Sequence, residues 1–553
     1  MKKYFCSLLL ICIVAHLFAN EQLRERIHVQ TDKRLYLAGE MVLMKILTTD
    51  AALSPIVFSK VAYAELVDDS IARVQIKIEL TNGTGSGFMH LPLDLPTGYY
   101  RLIAYTRYMR NEGAEVFFEK DIAVLNTFLS GYYPIENETE PKTQDNFFAT
   151  FSLQTDKQNY SARERGELIL TGLPENIHTL SVSIAGNEYK PNVSSFQNNQ
   201  PPNSTRFTGD FFPEYEGHVV TGTIINNQTD TPISGATPFL YGLAFPGDEI
   251  RYFSGQKSSA EEVMFFTSGI SDTKEAVSIV YNAGENYRVD IHSPFVSKHL
   301  PRQMPVLHIN SEHYRQILAR SVALQASLYF SSDPRENKKI PESFFKMQPS
   351  QSYPLDDYAR FGTMREVFVE FIRGARFRRN DGKQELSILF KTGASLNYGN
   401  TPLVIVDGIP VNDHDEIFNY DPLSVEQINL YYGPFNMGGA RFDGIIELIT
   451  YNRLHQGLYL NKSTQLINYE SPQSPLRLHE LDYTDIDDRN SRIPDARHTL
   501  LWNPEIKTDG KNSIKLPFDT SDFIGEFQVT VEGITIDGDI VFATSFFKVI
   551  PSS

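Results

Sequence analysis

The pattern Gln-Thr-Asp-Lys-x-x-Tyr-x-Ala-x-Glu occurs twice, at residues 30–40 and 154–164, 124 residues apart. An apolar run follows each time, at 42–46 and 167–170. Short solenoid repeats have periods of about 20–50 residues, so a spacing this long marks two copies of a domain. The first copy shows what kind of domain it is. Strand-like runs fall at 27–30, 41–46, 62–67, 72–79 and 99–105, with turn residues between them. Residues 82–87 (NGTGSG) read as a Gly-rich hairpin loop. The repeat therefore predicts two β-domains near the start of the chain.

Residues 1–19 read as a secretory signal peptide, with a basic start at Lys2 and Lys3, an apolar stretch at 7–18 and a small residue, Ala19. Both cysteines, Cys6 and Cys12, lie inside it. Cys12 follows Ile11 where a lipoprotein box needs a small residue, and Cys6 is too early, so no lipid anchor is expected. Past residue 19 the absence of cysteine excludes disulfides, zinc–thiolate sites, iron–sulfur clusters and thiol nucleophiles. The chain must be held together by core burial, and 553 residues suggest three to five domains. No later apolar run is long enough for a membrane helix. Without Lys2 and Lys3 the net charge changes from −17 to 49 − 68 = −19, which argues against a nucleic-acid partner.

The first copy, residues 21–127, resembles the macroglobulin-type β-sandwich of the α-macroglobulins, whose domains open with a strand, a TDKxxYxxGE-like turn and a second strand. Gly39-Glu40 matches that turn. The second copy, read as residues 147–200, departs from it at Arg163, where the glycine should stand. Protease-trapping α-macroglobulins use a Cys–Gln thioester, which the resemblance cannot bring to a mature chain without cysteine. A polar linker at 192–203 follows. Residues 215–296 then resemble the carboxypeptidase regulatory-like β-domain, on the pieces Val220-Thr-Gly-Thr-Ile224 and Pro232-Ile-Ser-Gly-Ala236. Further strands are predicted at 263–267, 276–281 and 287–291.

Two helices are predicted next. One spans 311–327 with Ile317, Leu318, Val322 and Leu324 as its apolar residues. The other spans 364–372 with Met364, Val367, Phe368, Phe371 and Ile372 on one face. Residues 401–451 then give strand 403–406, a turn at Asp407-Gly408, a polar loop and a short helix, strand 427–431, a turn at Gly433-Pro434, a loop with Gly438 and Gly439, and strand 444–450 from Gly444. In this order VDGIPV, SVEQINLYYGP and GGARFDGIIELIT resemble the plug domain of TonB-dependent outer-membrane receptors. The plug-like region with its preceding helices is read as 305–454. A receptor would continue into a barrel of many strands of about ten residues. The hundred or so residues that follow do not read that way, so a plug-like fold without its pore is expected. The last segment, 455–553, reads as a linker and a C-terminal β-sandwich, with strands at 513–518, 527–532 and 540–549. Its FIGEFQVTVEG (523–533) echoes LPTGYYRLIAY (95–105). The whole order, with RIPDARHTLLWNPEIKTDG at 492–510, resembles large exported proteins of Bacteroidota. The expected fold class is mostly β: tandem macroglobulin/Ig-like β-sandwiches plus a small α+β plug-like domain.

Motifs for catalysis are absent: there is no HExxH, P-loop, GxSxG or GxGxxG. Ser86 in Thr-Gly-Ser-Gly lacks the leading glycine and the strand-to-helix turn of a nucleophile elbow. Asn412-Asp-His-Asp-Glu416 offers Asp413 and Asp415 as metal ligands, or a solvated loop with Asp415 capping the next helix. Asp482, Asp485 and Asp487 are candidate Ca²⁺ ligands outside any EF-hand pattern. The basic cluster 373–379 is expected to pair with acidic neighbours. No cofactor is implied. The function expected is that of a non-enzymatic cell-envelope scaffold or accessory subunit, exported to the periplasm or outer membrane of a Gram-negative bacterium and docked on a barrel protein or envelope complex. The alternatives are a surface protein binding glycan or host protein, and a hydrolase with a dispersed carboxylate site.

Overall fold

The computed structural model describes residues 24–129, 151–187, 207–233, 240–245, 251–259, 261–271, 275–281, 286–307, 311–330, 347–392, 395–399, 402–437, 440–453, 457–460, 462–475, 483–484, 489–490, 492, 494–508 and 510–551. The fold is mostly β, with tandem β-sandwiches, as expected. By internal packing the chain forms two compact units. One holds residues 1–215, 297–331 and 473–553, and the other holds 216–296 and 332–472.

In the first unit, strands Arg26–Thr31, Met41–Thr49 and Thr84–His90 make a three-stranded sheet. A five-stranded sheet runs in the order Leu35–Leu37, Phe118–Leu125, Gly98–Thr106, Val61–Asp68, Ile71–Glu79. Within it Leu35–Leu37 runs parallel to 123–125 and the other pairs are antiparallel. Tyr36, Met44, Ile46, Tyr63, Leu66 and Tyr105 are fully buried in this sandwich. The NGTGSG segment is a tight turn rather than a loop. Asn82 and Gly83 take φ of 53° and 78°, and the following residues are a strand. Gly85 and Gly87 lie in that strand because a Cβ there would come within 2.5 Å of the Glu79 carbonyl and 2.8 Å of the Ile78 side chain. Ser86 is therefore a buried strand residue, not an elbow.

The second copy has the same strand order, built from two distant parts of the chain. Ser152–Thr155, Arg165–Thr171 and Ser513–Asp519 form its three-stranded sheet. Asn159–Tyr160, Ile540–Val549, Gly525–Thr535, Ile177–Gly186 and Thr499–Asn503 form the five-stranded one. Again the short strand runs parallel to its neighbour, Asn159 opposite Lys548. This corrects the reading of 147–200 and the C-terminal strands as separate domains. The leading strands alone would leave an open apolar face, and Phe518, Phe527, Val529 and Phe547 close it. In the first sandwich the strands Val61–Asp68 and Ile71–Glu79 are joined through Asp69-Ser70. Their counterparts in the second are separated by residues 187–498.

The repeated motif makes the same hydrogen bonds twice. Tyr36 Oη donates to Asp32 Oδ1 at 2.7 Å, and Tyr160 Oη to Asp156 Oδ1 at 2.6 Å. The same carboxylates accept the backbone N–H of Leu43 (3.1 Å) and Glu167 (2.7 Å). Glu40 accepts the Leu37 N–H at 3.1 Å, and Glu164 the Ser161 N–H at 2.6 Å. Arg163 keeps the turn that its residue type put in question. Its φ of 55° is in the left-handed region, as is the 90° of Gly39. The guanidinium is fastened by two bonds to Asp522, at 2.8 and 2.7 Å.

The helix Ser311–Phe330 belongs to the first unit. Ile317 and Leu324 pack against Leu35 and Leu37, whereas the other two apolar residues named for this helix, Leu318 and Val322, are exposed. The buried face includes Arg320, whose guanidinium donates to Glu40 at 2.8 and 2.6 Å.

The second unit opens with the sheet around Val219–Asn226. That strand pairs with Thr231-Pro232, Glu262–Phe266 and Tyr287–Ile291. Leu240–Phe245 lies between Arg251–Lys257 and Glu275–Tyr281. Thr464–Asn468, read from sequence as linker, pairs with Glu275–Tyr281 and extends this sheet. The unit's other part is a five-stranded mixed sheet in the order Gln351–Pro354, Val425–Met437, Ala440–Thr450, Leu403–Val406, Ile409–Val411. With it is a three-stranded sheet of Ala375–Asn380, Lys383–Thr392 and Ser395–Gly399. The short helices Met364–Glu370 and His414–Phe418 pack on this part through Met364, Val367, Phe368 and Ile417.

Candidate functional site

The mixed sheet carries the most distinctive motifs. Leu403–Val406 is buried throughout and pairs in parallel with Ala440–Thr450, Leu403 opposite Ile445. Asp407 and Gly408, with φ of 47° and 83°, form the two-residue turn into Ile409–Val411. Positive φ at both positions is the twist-matched hairpin turn that Asp-Gly favours. Asp407 is 3% exposed. Its carboxylate accepts the Thr450 N–H (2.8 Å) and the Thr450 hydroxyl (2.5 Å), so it clamps the turn to the neighbouring strand.

Gly433 and Pro434 do not end their strand. It continues to Met437 with a register shift between Tyr432 and Phe435. Gly433 has φ of 111° and Pro434 lacks an N–H, a combination that suits a bulge. The third strand begins at Ala440, and Gly444 lies inside it. A Cβ at Gly444 would stand 2.7 Å from the Tyr431 carbonyl and 3.0 Å from the Ile388 side chain. Gly439 lies outside the described residues.

The acidic loop fastens one element to another. Asp413, not Asp415, is the N-cap of the His414–Phe418 helix, accepting the Asp415 N–H at 3.1 Å. Its other oxygen pairs with Lys383 Nζ at 2.9 Å. Asp415 accepts the Gln384 N–H at 2.8 Å, and His414 Nδ1 accepts the Leu386 N–H at 2.9 Å. Burial lowers the His414 pKa to about 4 despite the pull of Asp413, Glu385 and Asp415, so the ring is neutral near pH 7. Among the described residues no three His, Cys, Asp or Glu side chains could hold a metal ion. Asp482, Asp485 and Asp487 lie outside the described residues.

The basic cluster is mostly strand. Arg378 pairs with Glu385 at 2.7 Å, as expected of a cluster with acidic neighbours, and Arg376 lies 3.8 Å over the Tyr398 ring. Sequence reasoning missed the buried carboxylate of Glu447, which accepts from Asn429 Nδ2 (2.9 Å) and Tyr431 Oη (2.8 Å). The available signal was a glutamate interrupting the apolar run Ile445–Ile449. Outside the sheet, the Met364–Glu370 helix starts with a reciprocal capping box between Thr363 and Glu366. Thr363, Glu366, Val369, Phe418, Tyr420 and Asp421 border an open groove in which Val369 is 71% exposed. Arg365, Glu366, Glu370 and Asp421 give the groove charged edges around Val369, Phe418 and Tyr420.

No family model and no curated protein matches the chain. No helix among the described residues is long and apolar enough to cross a membrane. Solved structures give loose matches. Salmonella alpha-2-macroglobulin reacted with methylamine is 10% identical with a TM-score of 0.25, covering 95% of this chain and 39% of that one. The native conformation of Escherichia coli alpha-2-macroglobulin is 11% identical with a TM-score of 0.24, covering 96% and 40%. The chain thus spans about two fifths of these proteins. The Escherichia coli adhesin FdeC is 11% identical with a TM-score of 0.15, covering 48% of this chain and 62% of its own.

Proposed function

We propose that the chain is a non-enzymatic accessory or scaffold protein of a Gram-negative cell envelope, exported and docked through its plug-like segment on an outer-membrane barrel protein or envelope complex. The observation that carries this reading is the use of the polar groups at 407–415. Asp407, Asp413, His414 and Asp415 each hold backbone or pair with a neighbouring strand. Their chemistry serves a rigid shape, and the surface beside them is the groove around Val369. Export rests on the signal-like residues 1–19. The β-sandwiches supply spacing and rigidity in this reading, and the step from plug-like motifs to a role is analogy.

The test is affinity capture of the tagged mature protein from gently solubilised outer membranes, with mass spectrometry of what it retains. Recovery of one barrel or envelope subunit in stoichiometric amount, lost in Val369→Asp, is the expected result. Recovery of the protein alone, or capture unchanged by Val369→Asp, would overturn docking through this groove.

A further inference from the structure

The two sandwiches of the first unit meet through the three-stranded sheet of one and the five-stranded sheet of the other. Ser183 Oγ donates to the Asp32 carbonyl at 2.6 Å and Thr499 Oγ1 to Asp32 Oδ2 at 2.7 Å, while Trp502 packs with Leu43 and Phe88. Beside these contacts a partly open cleft encloses about 70 Å³. That is several times the space one water needs, which is about 10–15 Å³. Leu47, Phe118 and Ile534 give it an apolar wall, and His28, Gln30 and Lys45 line it with polar groups.

Those polar groups are under-used. Gln30 is 8% exposed and its Nε2 has no hydrogen-bond partner; neither has His28 Nε2. Gln30 Oε1 meets the Ser181 hydroxyl, whose single proton is also within reach of the Glu532 carbonyl, so one end of the Gln30 amide is unmet in either orientation. Lys45 is 6% exposed, and the Thr179 hydroxyl at 2.5 Å accepts one of its three protons. Buried donors of this kind are costly unless something occupies the cleft.

We propose that the cleft binds a small aliphatic carboxylate. The carboxylate takes the Lys45 ammonium and the Gln30 amide, and the chain lies on Leu47, Phe118 and Ile534. A cationic ligand or a hydrocarbon would leave the Gln30 amide and the two remaining Lys45 protons unmet, and Glu505 and Glu532, the acidic neighbours of Lys45, offset only part of what burial takes from its charge. Burial lowers the Lys45 pKa to about 7, partly offset by Glu505 and Glu532; His28 lines the same cleft, and burial, with Lys45 adding to it, lowers the pKa of His178. The anion supplies what burial removes, so binding holds a proton on Lys45 and weakens as pH rises past neutrality. This inference does not rest on the docking reading.

Isothermal titration of the full mature chain with hexanoate, near pH 6 and again near pH 9, tests it. One site is expected, weaker by about tenfold or more at the higher pH. Lys45→Met and Gln30→Leu should each weaken binding about tenfold, the loss of a charge-assisted hydrogen bond, and hexylamine should not compete. Should Lys45→Met fail to fold, the unaltered protein still decides: hexanoate must move the NMR titration of the Lys45 amine to higher pH. Absence of saturable hexanoate binding, or binding indifferent to pH and to both substitutions, would overturn the proposal.

Discussion

Asp32 and Asp156 occupy the same place in the two copies but not the same surroundings. Asp32 is 5% exposed and accepts from Tyr36, the Leu43 N–H and Thr499. Asp156 is exposed and accepts from Tyr160 and the Glu167 N–H. Removing a buried acceptor leaves its donors unmet, whereas water replaces an exposed one. Asp32→Ala should therefore cost about 2–4 kcal/mol and Asp156→Ala about 1 kcal/mol, measured by urea unfolding. Trp502, the chain's single tryptophan, lies in the second sandwich and reports on it by fluorescence. At Arg163 the same probe should show Arg163→Gly within about 1 kcal/mol of wild type, because relief of the left-handed backbone offsets the lost pair with Asp522. Arg163→Val should lose about 2–3 kcal/mol, since a β-branched residue fits that region poorly. The repeated residues were legible as sequence. The support for Arg163 was not, because Asp522 lies 359 residues along the chain.

Among the elements, the Ser311–Phe330 helix shows what periodicity captures and what it leaves out. Of its four apolar residues, Ile317 and Leu324 pack inward while Leu318 and Val322 are exposed, and the docked stripe takes in Arg320 and Ser321 instead. A buried arginine looks like a solvated residue until its partner is known, and Glu40 is 280 residues away. Burial alone would raise the Glu40 carboxyl, but the Arg320 and Lys33 cations hold it well below the usual carboxylate range. The stability from a depressed carboxyl is complete above the unfolded value of about 4.3 and is lost as the pH falls through the folded value. Arg320→Met should cost about 3–5 kcal/mol at neutral pH by stranding Glu40. The difference from wild type should shrink progressively as the pH falls below about 4, because the unfolded chain protonates Glu40 there while the folded wild type does so only at its much lower value. Hydrogen exchange along 316–325 checks whether the helix undocks. The strand Leu403–Val406 and the turn at Asp407-Gly408 were legible from local residues, but the return strand Ile409–Val411 falls where a polar loop is expected. Gly433-Pro434 was misread as a turn, since a bulge and a turn use the same residues and only the partner strand distinguishes them.

For the molecule as a whole, the mostly β class and the first sandwich followed from strand patterning and the repeat. The second sandwich did not, although its clue was present: residues 523–533 echo 95–105 because they hold the equivalent strand. Patterning assigns strands but not partners, and partners separated by 312 residues (187–498) lie beyond any local rule. A chain ending at residue 498 should therefore lose the whole second sandwich, not a terminal module. Limited proteolysis is expected to cut within 152–186 in that variant and to spare that stretch in the full chain.

That arrangement also governs how the protein comes into being. At roughly 5–20 residues per second, ribosomes need about 15–60 s to pass from residue 187 to residue 498. Throughout that interval the strands of 152–186 stand with bare edges, the condition that invites pairing with the wrong chain. Synthesis at low temperature or with a holding chaperone present should raise the soluble yield. The last fifty residues act as a latch: until they arrive, the first third of the molecule has one finished sandwich and one half-built one.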